Sequence, residues 1–185
     1  VSIARVHYAL NELPNYNNGA DMNACAFHRI FGSMHDFDVQ YGEIMMGKAP
    51  SNPFLWSAGW TKLDPGRAPD GKHTLILDTF VPSRLSDGTN WDDYIEEYVE
   101  TVLLKVLRRH TNNMDANNIL GAYYETGVSL EAANPAFVSG NTTGGERLLS
   151  QMGYMRPLPG FSQYKSPIPK LYITGPSCHP GGGIT

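Results

Sequence analysis

The residues best placed to do chemistry lie in the closing stretch Gly175-Pro-Ser-Cys-His-Pro-Gly-Gly-Gly-Ile-Thr185. Three consecutive glycines remove every Cβ from one side of a loop, so the backbone can press close to a flat ring or an anion. A helix beginning at or after Thr185 would add free N–H groups and a positive dipole end aimed at an oxygen. A plain Gly-rich turn or surface tail fits the same residues equally well. A second Gly-rich loop, Gly140-Asn-Thr-Thr-Gly-Gly145, lacks a following Lys-Ser/Thr. It is therefore no Walker-type phosphate loop, and an ordinary turn accounts for it.

The six histidines, His7, His28, His35, His73, His110 and His179, contain no i, i+4 pair on a helix, and none adjoins a cysteine pair. No metal site is expected. No Gly-x-Ser-x-Gly elbow occurs, which disfavours a serine hydrolase of that type. The paired acids Asp92 and Asp93 open a helix, where they complement its dipole and signal no acid–base catalysis. No catalytic side chain is assigned.

The elements that must position these loops follow from periodicity. Residues 2–10 alternate as a half-buried strand. Residues 11–21 read as a loop, and residues 22–31 are ambiguous between strand and helix, leaning towards strand at 24–30. Ser33 caps a helix to about Gly47, with Asp36 in its first turn and Phe37, Tyr41, Ile44 and Met45 as its core face. Residues 54–61 and 73–81 read as an antiparallel pair joined by the turn-dense Asp64–Gly71 segment. The clearest helix is 92–109, capped by Asn90, with Ile95, Val99, Val102, Leu103 and Val106 as its stripe. Residues 119–126 read as a strand, and 129–133 as a short helix ended by Pro135. Residues 138–168 read as long ordered loops, a common place for function. Leu171–Thr174 reads as a short buried strand.

The 185 residues fit one ordinary domain: 41% hydrophobic, 17% charged, with 19 glycines and 13 prolines that indicate many loops. A net charge of −4 argues against a nucleic-acid footprint. The basic run Lys105–His110 ends a helix and serves its dipole. Cys25 and Cys178 form no framework, which points to free thiols in a reducing compartment. No signal pattern or membrane-length apolar run is present. An intracellular setting, cytoplasmic or membrane-peripheral, is expected. The abrupt strand at one end and the glycines at the other suggest a piece of a larger machine.

Several segments together resemble a known family. Pro167-Ile-Pro-Lys-Leu-Tyr-Ile-Thr-Gly-Pro-Ser-Cys-His-Pro-Gly-Gly-Gly-Ile184 closely resembles the C-terminal signature of phytoene desaturase-like FAD-dependent oxidoreductases. That branch includes carotenoid desaturases, retinol saturases and pyridine nucleotide-disulfide oxidoreductase domain proteins. Asp64-Pro-Gly-Arg-Ala-Pro-Asp-Gly-Lys-His-Thr-Leu75 is similar to its Asp-Pro-x-x-Ala-Pro-x-Gly-x-His segment. Gly140-Asn141, Arg156-Pro-Leu-Pro-Gly160 and Tyr164-Lys-Ser-Pro-Ile168 match its style, in colinear order.

The resemblance implies a two-domain flavoenzyme with an α/β (α+β) plan. Residues 1–165 would be the substrate domain, a mixed and largely antiparallel sheet with flanking helices. Residues 166–185 would return, by a strand and Gly-rich loop, to a Rossmann-like FAD domain. The Gly-x-Gly-x-x-Gly turn of such a domain is absent here. Carried over, Gly175, Pro176 and Ser177, then His179, Pro180, Gly181, Gly182, Gly183 and Ile184, would line the isoalloxazine, chiefly through backbone. Pro176 replaces the family's usual small Ala or Ser and removes one N–H. Cys178 is read as a packing or tolerated position rather than a covalent flavin link.

The implied reaction is hydride transfer between flavin and an apolar or amphipathic substrate, by desaturation, dehydrogenation or saturation. Trp56, Trp60, Tyr123, Tyr124 and Phe137 are candidate substrate-lining residues, with ordinary core packing as the competing account. The implied partner is the remainder of the flavoenzyme, on the same or another chain. Peripheral membrane contact and oligomer formation both stay open. Two other readings are an amine or amino-acid oxidase relative and a non-catalytic binding or scaffolding fragment.

Overall fold

A computed structural model describes residues 1–145 and 148–182. They divide into two compact units, Val1–Ser129 and Leu130–Thr185.

The first unit is built on a five-stranded sheet. Its strands are β1 (Ser2–Leu10), β2 (Phe27–Ile30), β3 (Leu55–Ala58), β4 (His73–Val81) and β5 (Ile119–Glu125). Their order is β2-β3-β4-β1-β5 and every described pairing is antiparallel. The sequence suggests a mixed sheet; none of the described pairs is parallel. Strand β1 ties the sheet together because it pairs β4 along nine residues and β5 along its second half.

Period-2 alternation gives the sheet two distinct faces. One carries Ala4, Val6, Tyr8 and Leu10 from β1, Leu75 and Leu77 from β4, and Leu55 and Ile30 from β3 and β2, all buried. Against this face packs the long helix, α3 (Trp91–Tyr98), a π-helical stretch (Val99–Leu103) and α4 (Leu104–Arg108). Asn90 caps it as the sequence predicts, with Asp92 N–H donating to its Oδ1 at 3.0 Å. The π stretch widens one turn. Tyr98, Leu104 and Leu107 thereby join Ile95, Val99, Leu103 and Val106 in the core, and Val102 is only partly buried. Buried aromatic tips find acceptors: Trp91 Nε1 donates to Pro82 O and Tyr98 Oη to Pro50 O, each at 2.8 Å.

Several local expectations change. Residues 20–24 form a short helix, α1 (Ala20–Ala24), and the strand begins only at Phe27. Helix α2 (Met34–Met45) starts where Ser33 and Asp36 form a reciprocal capping box, as expected. Its core face is different: Tyr41 and Met45 are 63% and 66% exposed, Phe37 is exposed, and Gln40 alone is buried. Gln40 wins because its amide bridges three partners, donating to Thr79 Oγ1 and Phe80 O and accepting from Phe54 N–H. Such bonds to backbone dock the helix by a polar contact that apolar spacing does not reveal.

The connection between β3 and β4 holds two 3₁₀ turns: Pro65–Arg67 lies in the turn-dense segment the sequence marked, while Trp60–Lys62 takes up the end of the expected strand 54–61, which stops at Ala58. Helix α5 (Gly127–Ala133) starts two residues early because the Thr126 hydroxyl accepts from Val128 and Ser129 N–H, both at 3.1 Å.

The second unit is loop-rich, with 3₁₀ turns at Val138–Gly140, Leu149–Gln151 and Gly153–Met155. The buried strand expected at Leu171–Thr174 is not formed. A single bridge pairs Tyr172 with Lys165, and Leu171 and Tyr172 are exposed. Pro167 and Pro169 lack ladder donors, and Lys170 has φ 68°, so the chain turns there instead of extending.

Candidate functional site

Each unit carries one arrangement suited to ligand chemistry. In the second unit the two Gly-rich loops meet. The first is stitched internally: Thr143 N–H and Oγ1 donate to Asn141 Oδ1 at 2.8 and 2.7 Å, and Asn141 Nδ2 donates to Gly145 O at 3.2 Å. Gly144 has φ 68°, and a Cβ there would sit 2.6 Å from Ser177 N and 2.7 Å from Pro176 C. A Cβ at Gly182 would lie 3.4 Å from Thr143 Cα. The glycines thus let residues 140–145 pack directly on the backbone of residues 175–182.

Arg156 holds the two loops together. It is 3% exposed, and its guanidinium donates to Thr143 O at 2.6 Å, to Pro176 O and to Gln151 O. Bonds from a charged donor to carbonyls are stronger than neutral ones. Gly153 N–H adds a 2.9 Å bond to Pro180 O. Arg156–Pro157 and His179–Pro180 are both cis. The His179 ring lies 4.9 Å from Tyr154 and 6.4 Å from Tyr164, and its Nδ1 is buried without a partner among the described residues.

The sequence-predicted cofactor residues that the structure describes therefore sit in one loop. Pro176, Ser177, Pro180 and Gly182 are exposed on it; Gly175 and His179 are half-buried, and Gly181 is buried beside Met152. Cys178 is 4% exposed, a packed free thiol, and Cys25 is free and exposed. Gly183 and Ile184 lie outside the described residues.

In the first unit the sheet face opposite the long helix carries a transverse ionic row. Cross-strand register sets Glu125, Arg5, Asp78, Trp56 and Arg29 side by side from β5 to β2. Arg5 donates to Asp78 Oδ2 from Nε at 3.0 Å and Nη2 at 2.8 Å, and from Nη1 to Glu125 Oε2 at 3.4 Å. His7 Nε2 lies 2.8 Å from the same Glu125 oxygen. Asp78 is 4% exposed, and its Oδ1 has no hydrogen-bond partner among the described residues. Burial raises its carboxyl above the usual range, and the Arg5 charge and hydrogen bonds pull it back only in part.

Beside the row runs an aromatic strip. Trp56 and Phe80 meet edge-on with centroids 5.4 Å apart, Phe54 lies 6.0 and 5.7 Å from them, and Phe37 stacks on Phe54 at 5.0 Å. The Arg29 guanidinium sits 5.7 Å over the Trp56 ring, within cation–π range.

The predicted lining residues separate on this frame. Trp56 and Tyr123 share the face of the ionic row, and Trp60 stacks on Phe27 at its β2 edge. Tyr124 points to the opposite face and packs against the core with the long helix. Phe137 belongs to the second unit, where it is half-buried. Sequence reasoning missed Arg156 and the row. A charged residue inside each apolar strand, Arg5 in β1 and Asp78 in Leu75-Ile-Leu-Asp-Thr-Phe-Val81, was the available signal.

Among the described residues no cluster of three or more His, Cys, Asp or Glu is placed to hold a metal, and no helix is long and apolar enough to cross a membrane.

No family model matches the chain. Over 170 residues it is 32% identical to a limonene dehydrogenase subunit of Castellaniella defragrans, covering 86% of this chain and 30% of that protein. It is 27% identical to pyridine nucleotide-disulfide oxidoreductase domain-containing protein 2 of Rattus norvegicus, covering 98% of this chain and 32% of that one. The Mus musculus protein of that name is 24% identical with the same shares. The chain thus spans 30–32% of the length of these curated relatives, whose names are those of oxidoreductases.

Proposed function

We propose that this chain is the substrate-side and C-terminal portion of an FAD-dependent oxidoreductase that moves hydride between an apolar substrate and flavin. Residues 1–165 serve as the substrate domain and residues 166–185 belong to the FAD domain. The observation that carries this reading is the interlock of residues 140–145 with 175–182 around Arg156. It fixes a loop whose exposed surface is Pro176, Ser177, Pro180 and Gly182, small residues or bare backbone, with the His179 Nδ1, unpartnered among the described residues, behind it. Those features fit a planar ring.

Bound FAD supplies the hydride acceptor or donor. The chain's own part is to bind and orient. Arg156 holds the Pro176 carbonyl, so that residue, which has no N–H, contributes shape rather than a hydrogen bond. Gly175, Ser177 and His179 to Gly182 offer backbone and the Ser177 hydroxyl. The aromatic strip on the sheet offers a partly exposed apolar surface. Support for an apolar substrate comes from one relative's name, which specifies limonene, a hydrocarbon. That relative is named as one part of a multi-chain enzyme, which supports an assembly with further chains.

The absorption spectrum of the native protein, with every co-purifying chain retained, tests the reading. Flavin bands in the blue are expected, bleaching when substrate is added without oxygen. A colourless protein of full chain composition would sink it.

A further inference from the structure

Asp78 leaves one polar requirement open. Its Oδ2 takes both Arg5 bonds, while Oδ1 is buried and accepts nothing from the described residues. Buried carboxylate oxygens are ordinarily satisfied, and one that is not costs stability unless a further group completes it. Its place on the sheet is specific. Trp56 is its cross-strand partner, and Phe80 follows two residues along β4 on the same face, about 7 Å away. The open acceptor therefore sits where the aromatic strip meets the ionic row.

Charge narrows what can complete it. Across the row Glu125, Arg5, Asp78 and Arg29 alternate in sign and their formal charges cancel. An ammonium group would add charge to a balanced row, and a carboxylate would face Asp78 and Glu125. A neutral donor completes the acceptor without either penalty.

We propose that this face binds an amphipathic molecule whose apolar body lies on Phe54, Trp56 and Phe80 and whose hydroxyl donates to Asp78 Oδ1. The inference rests on the oxidoreductase reading and deepens it by giving the substrate a polar handle. Arg5, whose side chain is 29% exposed, keeps Oδ2 as its own acceptor and leaves Oδ1 to the hydroxyl. Asp78 acts as an anchor and sets which carbon lies over the aromatic strip.

The test titrates the full protein with 1-octanol, octane and octylamine, three probes of one chain length, read by tryptophan fluorescence. Asp78→Ala is expected to weaken 1-octanol about tenfold, the worth of a hydrogen bond to a charged group, and to leave octane unchanged. Asp78→Asn keeps its one oxygen on Arg5 and turns an amide N–H toward the ligand, from which the octanol oxygen can accept, so it is expected to hold 1-octanol within about threefold of the parent. Equal losses for octanol and octane, no loss for octanol, or octylamine binding tighter than octanol in the parent each overturn the proposal. Octanol selectivity in a protein without flavin bands would defeat the oxidoreductase reading and leave the site standing. Flavin bands without the selectivity would do the reverse.

Discussion

Replacing Gly144 by alanine should break the contact on which the proposed cofactor loop depends. Two costs combine there. At φ 68° an L-residue loses about 1 kcal/mol relative to glycine. The new Cβ also meets backbone, at 2.6 Å from Ser177 N and 2.7 Å from Pro176 C, where no flexible side chain can yield. Forcing that contact open adds about 1–3 kcal/mol. Gly153 supplies the control: it has φ 58° in the same unit, and a Cβ there meets nothing within 4 Å. Gly153→Ala should therefore cost about 1 kcal/mol, and Gly144→Ala about 2–4 kcal/mol. The assay is urea unfolding of both variants beside flavin absorbance per protein. Gly144→Ala should unfold earlier and carry less flavin than Gly153→Ala. Equal stability and equal flavin in the two variants would refute the argument.

Two further outcomes follow from the first unit. Asp78 has a folded-state pKa above its unfolded one, so its contribution is complete at low pH and fades as pH rises through the folded value. Unfolding free energies between about pH 4 and about pH 8 should therefore show the parent losing ground to Asp78→Asn as pH rises, and a constant gap would contradict the burial assigned to Asp78. Asn90→Ala removes the acceptor for Asp92 N–H and should cost about 1 kcal/mol in urea denaturation, with no change in flavin content.

Much of the frame was legible where the signal is local. The alternation of β1, the Ser33–Asp36 box, the Asn90 cap and the Asp64–Gly71 connection all depend on residues close in sequence. What escaped depends on distant partners. Phe37, Tyr41 and Met45 keep helical spacing yet lie exposed, because α2 is fastened by Gln40 to Thr79 and Phe80, about forty residues away. Arg5 meets Asp78 and Glu125 across separations of 73 and 120 residues, which strand order creates and periodicity cannot foretell. The terminal loop was marked as a candidate by its glycines. Its partner loop and the Arg156 that joins them were visible only as separate, weak patterns, since nothing local links Thr143 to Pro176.

Hydrogen–deuterium exchange of the flavin-loaded and flavin-stripped protein tests the central claim at the level of residues. The account predicts slower exchange on loading in the backbone amides of segments 140–145 and 175–182, and no comparable change in the long helix at 91–108. Unchanged exchange in both loops, with flavin demonstrably bound, would contradict it.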